Sequence, residues 1–274
     1  MKNGALQYIH EQFKSIRINF IRSDTFKNTD FIHDYRVALK RIRAITKFVA
    51  KIPGSKDLRN LYRISYLENI YSAGGKLREV HINKQLLQEF EDTNYARYKG
   101  FKYYLKKKWW WAYLSLKDVR YLYSYRRIKN YEDKLLTVTE SIPEDKLIKH
   151  IDQFIQNKIK GIELLVADHN VESKLHKIRK YIKSIKYLFE MIQISNREYG
   201  NLHFEIDKIT ILEDTIGDWH DYYEFKAELQ EYIRVFGEVD KLAFTLKKIV
   251  DKEYSLKYKE AVQAVYKSFN IESK

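Results

Sequence analysis

Residues 31–43 read FIHDYRVALKRIR, and residues 174–186 read KLHKIRKYIKSIK. In both stretches a histidine is followed after three residues by an arginine, after four more by a lysine, and after three more by another basic residue. At about 100° per residue, these positions share an arc of about 80° on a helix. Each stretch therefore predicts a helix with a histidine-headed basic stripe. The first basic stripe is His33, Arg36, Lys40 and Arg43, and the second basic stripe is His176, Arg179, Lys183 and Lys186.

The opposite face of both predicted helices is apolar. An amphipathic helix needs such a face for packing, but an exposed basic face usually carries interspersed acids that form i,i+4 pairs. Here residues 31–52 hold six Lys and Arg against one acid, and residues 174–186 hold six against none. The repeated, acid-poor face predicts binding of a polyanion rather than an ordinary solvated surface. The apolar positions are Tyr35, Leu39, Ile42 and Val49, then Ile178, Ile182, Ile185 and Phe189.

A second motif repeats at nearly the same distance. Residues 75–79 (GKLRE) correspond to residues 217–221 (GDWHD) at an offset of 142, against 143 for the two stripes. Two elements that share one offset indicate an internal duplication. The glycines that head this motif, Gly75 with its neighbour Gly74 and Gly217, are expected to interrupt helices.

The chain has two prolines and little period-two alternation, so it predicts an all-α fold. Helix-stop and helix-start signals meet at residues 141–144 (SIPE). With the duplication, this predicts two pseudo-symmetric antiparallel four-helix bundles. The predicted halves are residues 1–140 and 141–274, which together form one functional domain.

Composition limits the classes of function. The net charge is +14, and the absence of cysteine excludes disulfides and thiolate chemistry. No apolar run approaches the ~20 residues that span a bilayer. The N-terminal residues lack the apolar stretch of a secretory signal, so a cytoplasmic location is expected.

Catalytic motifs are absent. The chain has no P-loop, no Gly-x-Ser-x-Gly and no Glu-x-x-His pair. The dipeptides His33–Asp34 and His220–Asp221 are reminiscent of His-Asp phosphohydrolases, but basic helix faces would repel the divalent cations of that chemistry. The sequence therefore predicts a protein that is not an enzyme and has no metal or cofactor.

The segment of residues 95–131 offers an alternative function. It holds eleven Lys and Arg, one acid, nine tyrosines and Trp109–Trp111. Aromatic rings beside cations can stack on nucleobases, which makes RNA or DNA binding the second candidate; a membrane interface is the third. The structural alternative is that the tryptophans and half of the tyrosines form a bundle core beside solvated lysines. Three consecutive tryptophans cannot all face one side of a helix.

The sequence resembles the CHAD domain, the conserved histidine α-helical domain. Residues 32–43 and 175–183 look like that family's helix signature, and residues 75–79 and 217–221 resemble its glycine-then-acid motif. The resemblance covers nearly the whole chain. It implies two four-helix bundles with a basic channel between them, and non-catalytic binding of inorganic polyphosphate. It also implies association with polyphosphate granules or with an enzyme of polyphosphate metabolism.

The resemblance implies a set of ligand contacts, and Lys47 extends the first stripe by a further turn. The second half departs from the first at two positions: Ser184 matches Arg41, and His220 matches Arg78. Weaker binding by the second half is therefore expected. The two histidines either contact the ligand or orient the stripe. The expected contacts are His33, Arg36, Lys40, Arg41, Arg43, Lys47, His176, Arg179, Lys180, Lys183 and Lys186.

Overall fold

The computed structural model describes residues 2–22, 29–52, 58–94, 97–167, 172–193 and 206–269. Within these ranges the regular structure is entirely helical, which confirms the predicted all-α fold. The helices are α1 (Lys2–Arg22), α2 (Thr29–Val49), α3 (Leu58–Ile64), α4 (Leu67–Thr93), α5 (Lys99–Arg120), α6 (Tyr125–Ser141), α7 (Glu144–Ala167), α8 (Glu172–Gln193), α9 (Ile206–Phe236) and α10 (Leu242–Ser268).

The two stripe-bearing stretches form α2 and α8. Their apolar faces are buried: Tyr35, Leu39 and Ile42 are fully buried on α2, as is Ile178 on α8. Burial of such side chains contributes about 1.5–3 kcal/mol each, so this face fixes which side of each helix turns inward. The basic stripes are thereby left on the polar faces, as the periodicity predicts.

The helix breaks predicted at glycines are wrong. The helix α4 runs unbroken through Gly74 and Gly75, and α9 runs unbroken through Gly217. The chain turns earlier, between α3 and α4, where Tyr66 adopts a left-handed φ of 58°. A Cβ on Gly74 would meet the Tyr35 hydroxyl and lie 2.9 Å from its Cζ. Glycine at position 74 therefore leaves room for the Tyr35 side chain to lie close to α4, and α4 remains helical through this position.

The predicted boundary at residues 141–144 coincides with a gap between helices. The helix α6 ends at Ser141 and α7 begins at Glu144. Pro143 suits this place because its fixed φ starts a helix and its missing N–H is not needed there. The assignment of residues 1–140 and 141–274 to duplicated halves stays a prediction.

The chain forms two compact units, and each draws on residues from both sides of position 140. Unit 1 comprises residues 1–75, 115–162 and 181–206, and unit 2 comprises residues 76–114, 163–180 and 207–274. The helices α4, α5, α7, α8 and, by its first residue, α9 contribute residues to both units.

The core of unit 1 is built on α1, α2 and α6. Phe13 meets Tyr131 edge to face at 5.5 Å between ring centroids, and Tyr131 shares a hydroxyl contact with Thr46. A fully buried carboxylate, Glu132, lies in the same unit. It is bonded by Arg17 and lies 2.9 Å from Nδ1 of His10. Burying a charge is costly unless it is paired, so these partners are required.

In the core of unit 2, apolar residues of α5 pack together with residues of α9 and α10. Phe101 is fully buried and contacts Phe225 and Tyr232, with ring centroids 5.7 and 5.1 Å apart. Lys108 reaches inward to Glu228, with 2.6 Å between the charged atoms. This ion pair and the ring contacts fix which face of α5 is turned to the core.

Candidate basic binding surfaces

The first basic stripe lies on the polar face of α2 in unit 1. His33 and Lys47 are exposed, while Arg36, Lys40 and Arg43 are half-buried. Half-burial of long cationic side chains is common, because their methylene stems cover apolar surface while the charged heads reach outward. The stripe is thus partly fixed in place by its surroundings.

Tyr71 on α4 holds the two arginines of this stripe. The Arg36 guanidinium lies over the Tyr71 ring at 4.8 Å, and Arg43 lies over the same ring at 5.5 Å. Arg36 also donates from Nη1 to the Tyr71 carbonyl oxygen at 2.6 Å. Arg43 pairs with Glu68 at 3.0 Å. The guanidinium groups are therefore positioned before any ligand arrives.

Gly75 makes room for this arrangement. A Cβ at Gly75 would lie 2.7 Å from Nη1 of Arg36, closer than real Cβ contacts come. The motif glycine of the first half thus lies directly against the arginine of the first stripe. The sequence showed that both elements repeat, and the structure shows that they touch.

Arg41 has a different environment from its neighbours. It donates from Nε to Glu190 of α8 at 2.7 Å, and the Tyr8 hydroxyl of α1 donates to the same carboxylate oxygen at 2.8 Å. Burial, with the Glu190 charge beside it, raises the pKa of Tyr8, so Tyr8 stays a donor. Arg41 therefore ties three helices of unit 1 together. Its place among the ligand contacts stays a prediction.

The second basic stripe lies along α8. His176 and Arg179, with the adjacent Lys180, belong to unit 2, whereas Lys183 and Lys186 belong to unit 1. Lys180 is exposed and the others are half-buried. This stripe carries a single arginine, so it offers fewer bidentate donors than the first.

His176 is packed among aromatic rings. Its ring centroid lies 4.8 Å from Trp219, 5.2 Å from His220 and 4.7 Å from Tyr223. Burial lowers the pKa of His176, and the neighbouring His220, Arg179 and Lys180 lower it further. The imidazole is therefore held in its neutral form at neutral pH.

Several buried nitrogens around His176 lack a hydrogen-bond partner in the described part of the chain. They are His176 Nε2, Arg179 Nε, Trp219 Nε1 and His220 Nδ1. Buried polar atoms are nearly always satisfied, so each of these nitrogens is a position for a water molecule or a ligand atom. An Arg Nε can only donate, so its missing partner is an acceptor.

The arginine of the second stripe also faces its motif glycine. The nearest atom to a Cβ built on Gly217 is Nη2 of Arg179, at 4.0 Å. The pairing of Arg36 with Gly75 thus recurs as Arg179 with Gly217, with more space in the second case.

The family model of the CHAD domain matches residues 7–230. The chain belongs to the CHAD domain family. It is also similar to the crystal structure of the CHAD domain from the plant Ricinus communis, with a TM-score of 0.72 and 13% identity. That likeness covers 100% of this chain and 92% of the plant chain, and it concerns the fold. No curated protein matches the chain.

Two residues of this CHAD domain escaped prediction from sequence. Tyr71 and Glu68, which hold Arg36 and Arg43, were not among the expected site residues. One signal was available: they lie four and seven residues before Gly75, on the same side of α4. The aromatic partner of His176, Trp219, lies within the repeated motif but was not assigned to the site.

The alternative that the tryptophans of α5 form a core is wrong for two of them. Trp110 and Trp111 are exposed, and Trp109 is half-buried and stacked on Tyr113. The core positions of this helix are instead taken by smaller and non-indole side chains, including Phe101 and Leu105.

The described residues include no group of three or more His, Asp or Glu side chains placed to hold a metal ion. None of the described helices combines the length and apolar composition needed to cross a membrane. The absence of catalytic activity stays a prediction.

Proposed function

We propose that this CHAD domain binds inorganic polyphosphate through its two basic stripes and does not hydrolyse it. The observation that carries the proposal is the positioning of Arg36 and Arg43 on one tyrosine ring, two helical turns apart. Seven residues at 1.5 Å rise separate their Cα atoms by about 10 Å along α2, and both guanidinium groups meet at the Tyr71 ring. One stripe therefore offers cationic groups to several successive phosphates.

The chemistry of the ligand suits this surface. Polyphosphate is unbranched, carries roughly one charge per phosphate and has no base edges to be recognised. Its recognition rests on guanidinium forks, lysine point charges and counterion release. Because Arg36 and Arg43 are already packed against Tyr71, less side-chain entropy is lost on binding. Lys40 lies between them, and Lys47 extends the surface by a turn.

The second stripe adds an independent argument. Arg179 Nε is a buried donor without a partner among the described residues, so an anionic ligand oxygen would satisfy it. A bound polyanion would favour the protonated form of His176, whose pKa is otherwise lowered. With one arginine against two, we expect the second stripe to contribute less affinity. The channel that the family resemblance implies stays part of the proposal.

The test is a titration with long-chain polyphosphate against single-stranded RNA of matched charge. Arg36→Glu with Arg43→Glu should weaken polyphosphate binding by at least about 100-fold, since each charge-assisted contact is worth ~1.5–3 kcal/mol. The matched control is Lys106→Glu with Lys107→Glu, which changes the net charge equally on α5. If the control loses affinity while the stripe variant keeps it, or if RNA binds more tightly, the proposed site is wrong.

The second stripe is tested by Arg179→Glu with Lys183→Glu, for which we expect a smaller loss. Binding of this kind depends on counterion release, so affinity should fall steeply with salt in the wild type and less steeply in each stripe variant. An unchanged salt slope would contradict direct phosphate contacts by the substituted residues.

The non-catalytic part of the proposal has its own assay. The protein incubated with polyphosphate, ATP or triphosphate and Mg²⁺ or Mn²⁺ should release no phosphate above a buffer control. Phosphate release that disappears in His33→Ala would contradict it. In cells, a polyphosphate-binding protein of this kind would associate with polyphosphate granules or with an enzyme that acts on the polymer.

A further inference from the structure

The outer face of α5 in unit 2 combines aromatic rings with lysines. Residues 99–117 hold six lysines and no acid. Tyr103, Lys106, Lys107 and Trp110 fall within an arc of about 100° on the helix. Phe101, on the opposite face, is fully buried. Packing of α5 therefore leaves this face outward.

The rings on this face are unusually exposed for their size. Trp110 is 54% exposed, Trp111 70% and Tyr103 59%. They are also held in place: Lys107 lies over the Tyr103 ring at 4.8 Å, and Trp110 stacks on Tyr113 at 5.2 Å. Neighbouring large exposed rings of this kind mark an interaction surface rather than ordinary solvated surface.

The turn between α9 and α10 continues the surface with aliphatic side chains. Val239 is 85% exposed and Leu242 is 56% exposed. Both line one open cavity together with Arg97 and Lys99, at the start of α5. The exposed apolar tip is thus bordered by the cations Arg97 and Lys99 and by one acid, Asp240, which accepts a hydrogen bond from the Tyr232 hydroxyl at 2.7 Å.

The charge of the surface is positive where it faces outward. Lys102 and Lys108 are engaged by Glu91 and Glu228, each at 2.6 Å. In the described part of the chain, no acidic side chain pairs with Lys106 or Lys107. Glu238 is an exposed acid on the α9–α10 turn.

We propose that the outer face of α5, with the tip of the α9–α10 turn, docks unit 2 on an anionic lipid surface. Tryptophan and tyrosine favour the membrane interface because their rings are amphipathic. Lysines are attracted to anionic headgroups, and exposed aliphatic side chains enter the acyl boundary. Single-stranded RNA would use the rings for stacking, but it offers nothing to Val239 and Leu242. The aliphatic tip therefore favours lipid over nucleic acid.

Vesicle flotation tests the docking surface. The protein should float with phosphatidylcholine vesicles containing about a third phosphatidylserine and not with phosphatidylcholine alone. Tryptophan emission should shift to shorter wavelength, because exposed indoles leave water, while buried Trp219 contributes little to the change. Failure to float with the anionic vesicles would overturn the proposal.

Paired variants locate the surface. Trp110→Ala with Trp111→Ala should lower vesicle affinity at least tenfold, and Lys106→Glu with Lys107→Glu should lower it by more than about 25-fold, at roughly fivefold per lysine. The matched controls are Leu256→Ala and Lys252→Glu with Lys259→Glu on α10, at exposed positions. The controls should keep most of the affinity.

The same variants distinguish this proposal from the polyphosphate proposal. All α5 variants should keep polyphosphate affinity, and circular dichroism should show unchanged helicity. Equal loss in the α5 and α10 variants would indicate non-specific charge attraction and overturn the docking site. If the α5 variants lose single-stranded RNA binding and keep vesicle binding, the surface recognises nucleic acid and the lipid proposal is wrong.

Discussion

Three glycine-to-alanine substitutions separate the reasons why glycine occurs within α4 and α9. Glycine is about 1 kcal/mol less favourable than alanine inside a helix, so each change has the same expected gain from helix propensity. The surroundings differ, because a new Cβ would meet Tyr35 at Gly74 and Arg36 at Gly75, but would make only an ordinary contact with Arg179 at Gly217. The balance of these effects sets the sign in each variant.

Gly217→Ala should stabilise the protein by about 1 kcal/mol, since the nearest atom lies at an ordinary contact distance of 4.0 Å. Gly74→Ala should destabilise it. Tyr35 is fully buried and cannot swing aside, so an overpacking cost at the upper end of ~1–3 kcal/mol outweighs the gain and leaves a net loss of about 2 kcal/mol.

Gly75→Ala should affect binding rather than stability. The Arg36 guanidinium is the end of a flexible side chain, and it must move by about 0.7 Å, from 2.7 Å to an ordinary contact of 3.4 Å. This displaces the donor of its 2.6 Å hydrogen bond to the Tyr71 carbonyl. Loss of about 1 kcal/mol of positioning corresponds to an about fivefold weaker affinity for polyphosphate.

Urea unfolding measures the first two effects, and titration with polyphosphate measures the third. If Gly74→Ala is as stable as Gly217→Ala, the close approach of Tyr35 does not constrain α4. If Gly75→Ala binds polyphosphate as tightly as the wild type while Arg36→Ala loses affinity, the glycine does not position the arginine.

Three further predictions concern charged groups. Glu132→Ala should cost about 3 kcal/mol in urea unfolding, at the lower end of the range for a broken buried pair, because it takes the carboxylate partner from the Arg17 guanidinium, which is 17% exposed, while Glu231→Gln at an exposed pair should change nothing measurable. The lowered pKa of His176 means that the unfolded chain binds its proton first, so stability should decline as pH falls below about 6.5, and thermal unfolding of His176→Gln should show a smaller decline. A decline of equal size would contradict this. Arg41→Ala should lower unfolding stability more than Arg36→Ala does, and a reversed order would show that the Glu190 contact is unimportant.

The sequence predicts what depends on local periodicity. The spacing of apolar residues identifies α2 and α8 and the faces that they bury, because a helix repeats every 3.6 residues whatever its partners are. The end of α6 at Ser141 and the start of α7 at Glu144 are also local features, because they follow from the proline between them and from turn chemistry. The two basic stripes follow from the same spacing, because they occupy the sides of α2 and α8 that are not buried.

The sequence does not predict features that depend on contacts between residues distant in the chain. Gly75 is a helix breaker by propensity, but the arginine that needs its space lies 39 positions earlier, and no local pattern links them. Apart from its spacing from Gly75, nothing in the sequence distinguishes Tyr71 from the other tyrosines among the 23 in the chain, and only the structure shows that its ring lies beneath two guanidinium groups. The exposure of Trp110 and Trp111 contradicts the average tendency of tryptophan to be buried. At these positions, the residue type is explained by the contacts of a surface and not by packing of the core.

The link from Tyr8 and Arg41 to Glu190 affects the order in which the chain acquires its structure. These contacts join residues 182 and 149 positions apart. During synthesis at ~5–20 residues per second, Tyr8 of α1 is made roughly 10–35 s before Glu190. The helices α1, α2 and α6 can pack on one another during that interval, because all three precede α8 in the chain, whereas the polar contacts to Glu190 cannot form until α8 is made. Unit 1 is therefore completed late, even though it contains the beginning of the chain.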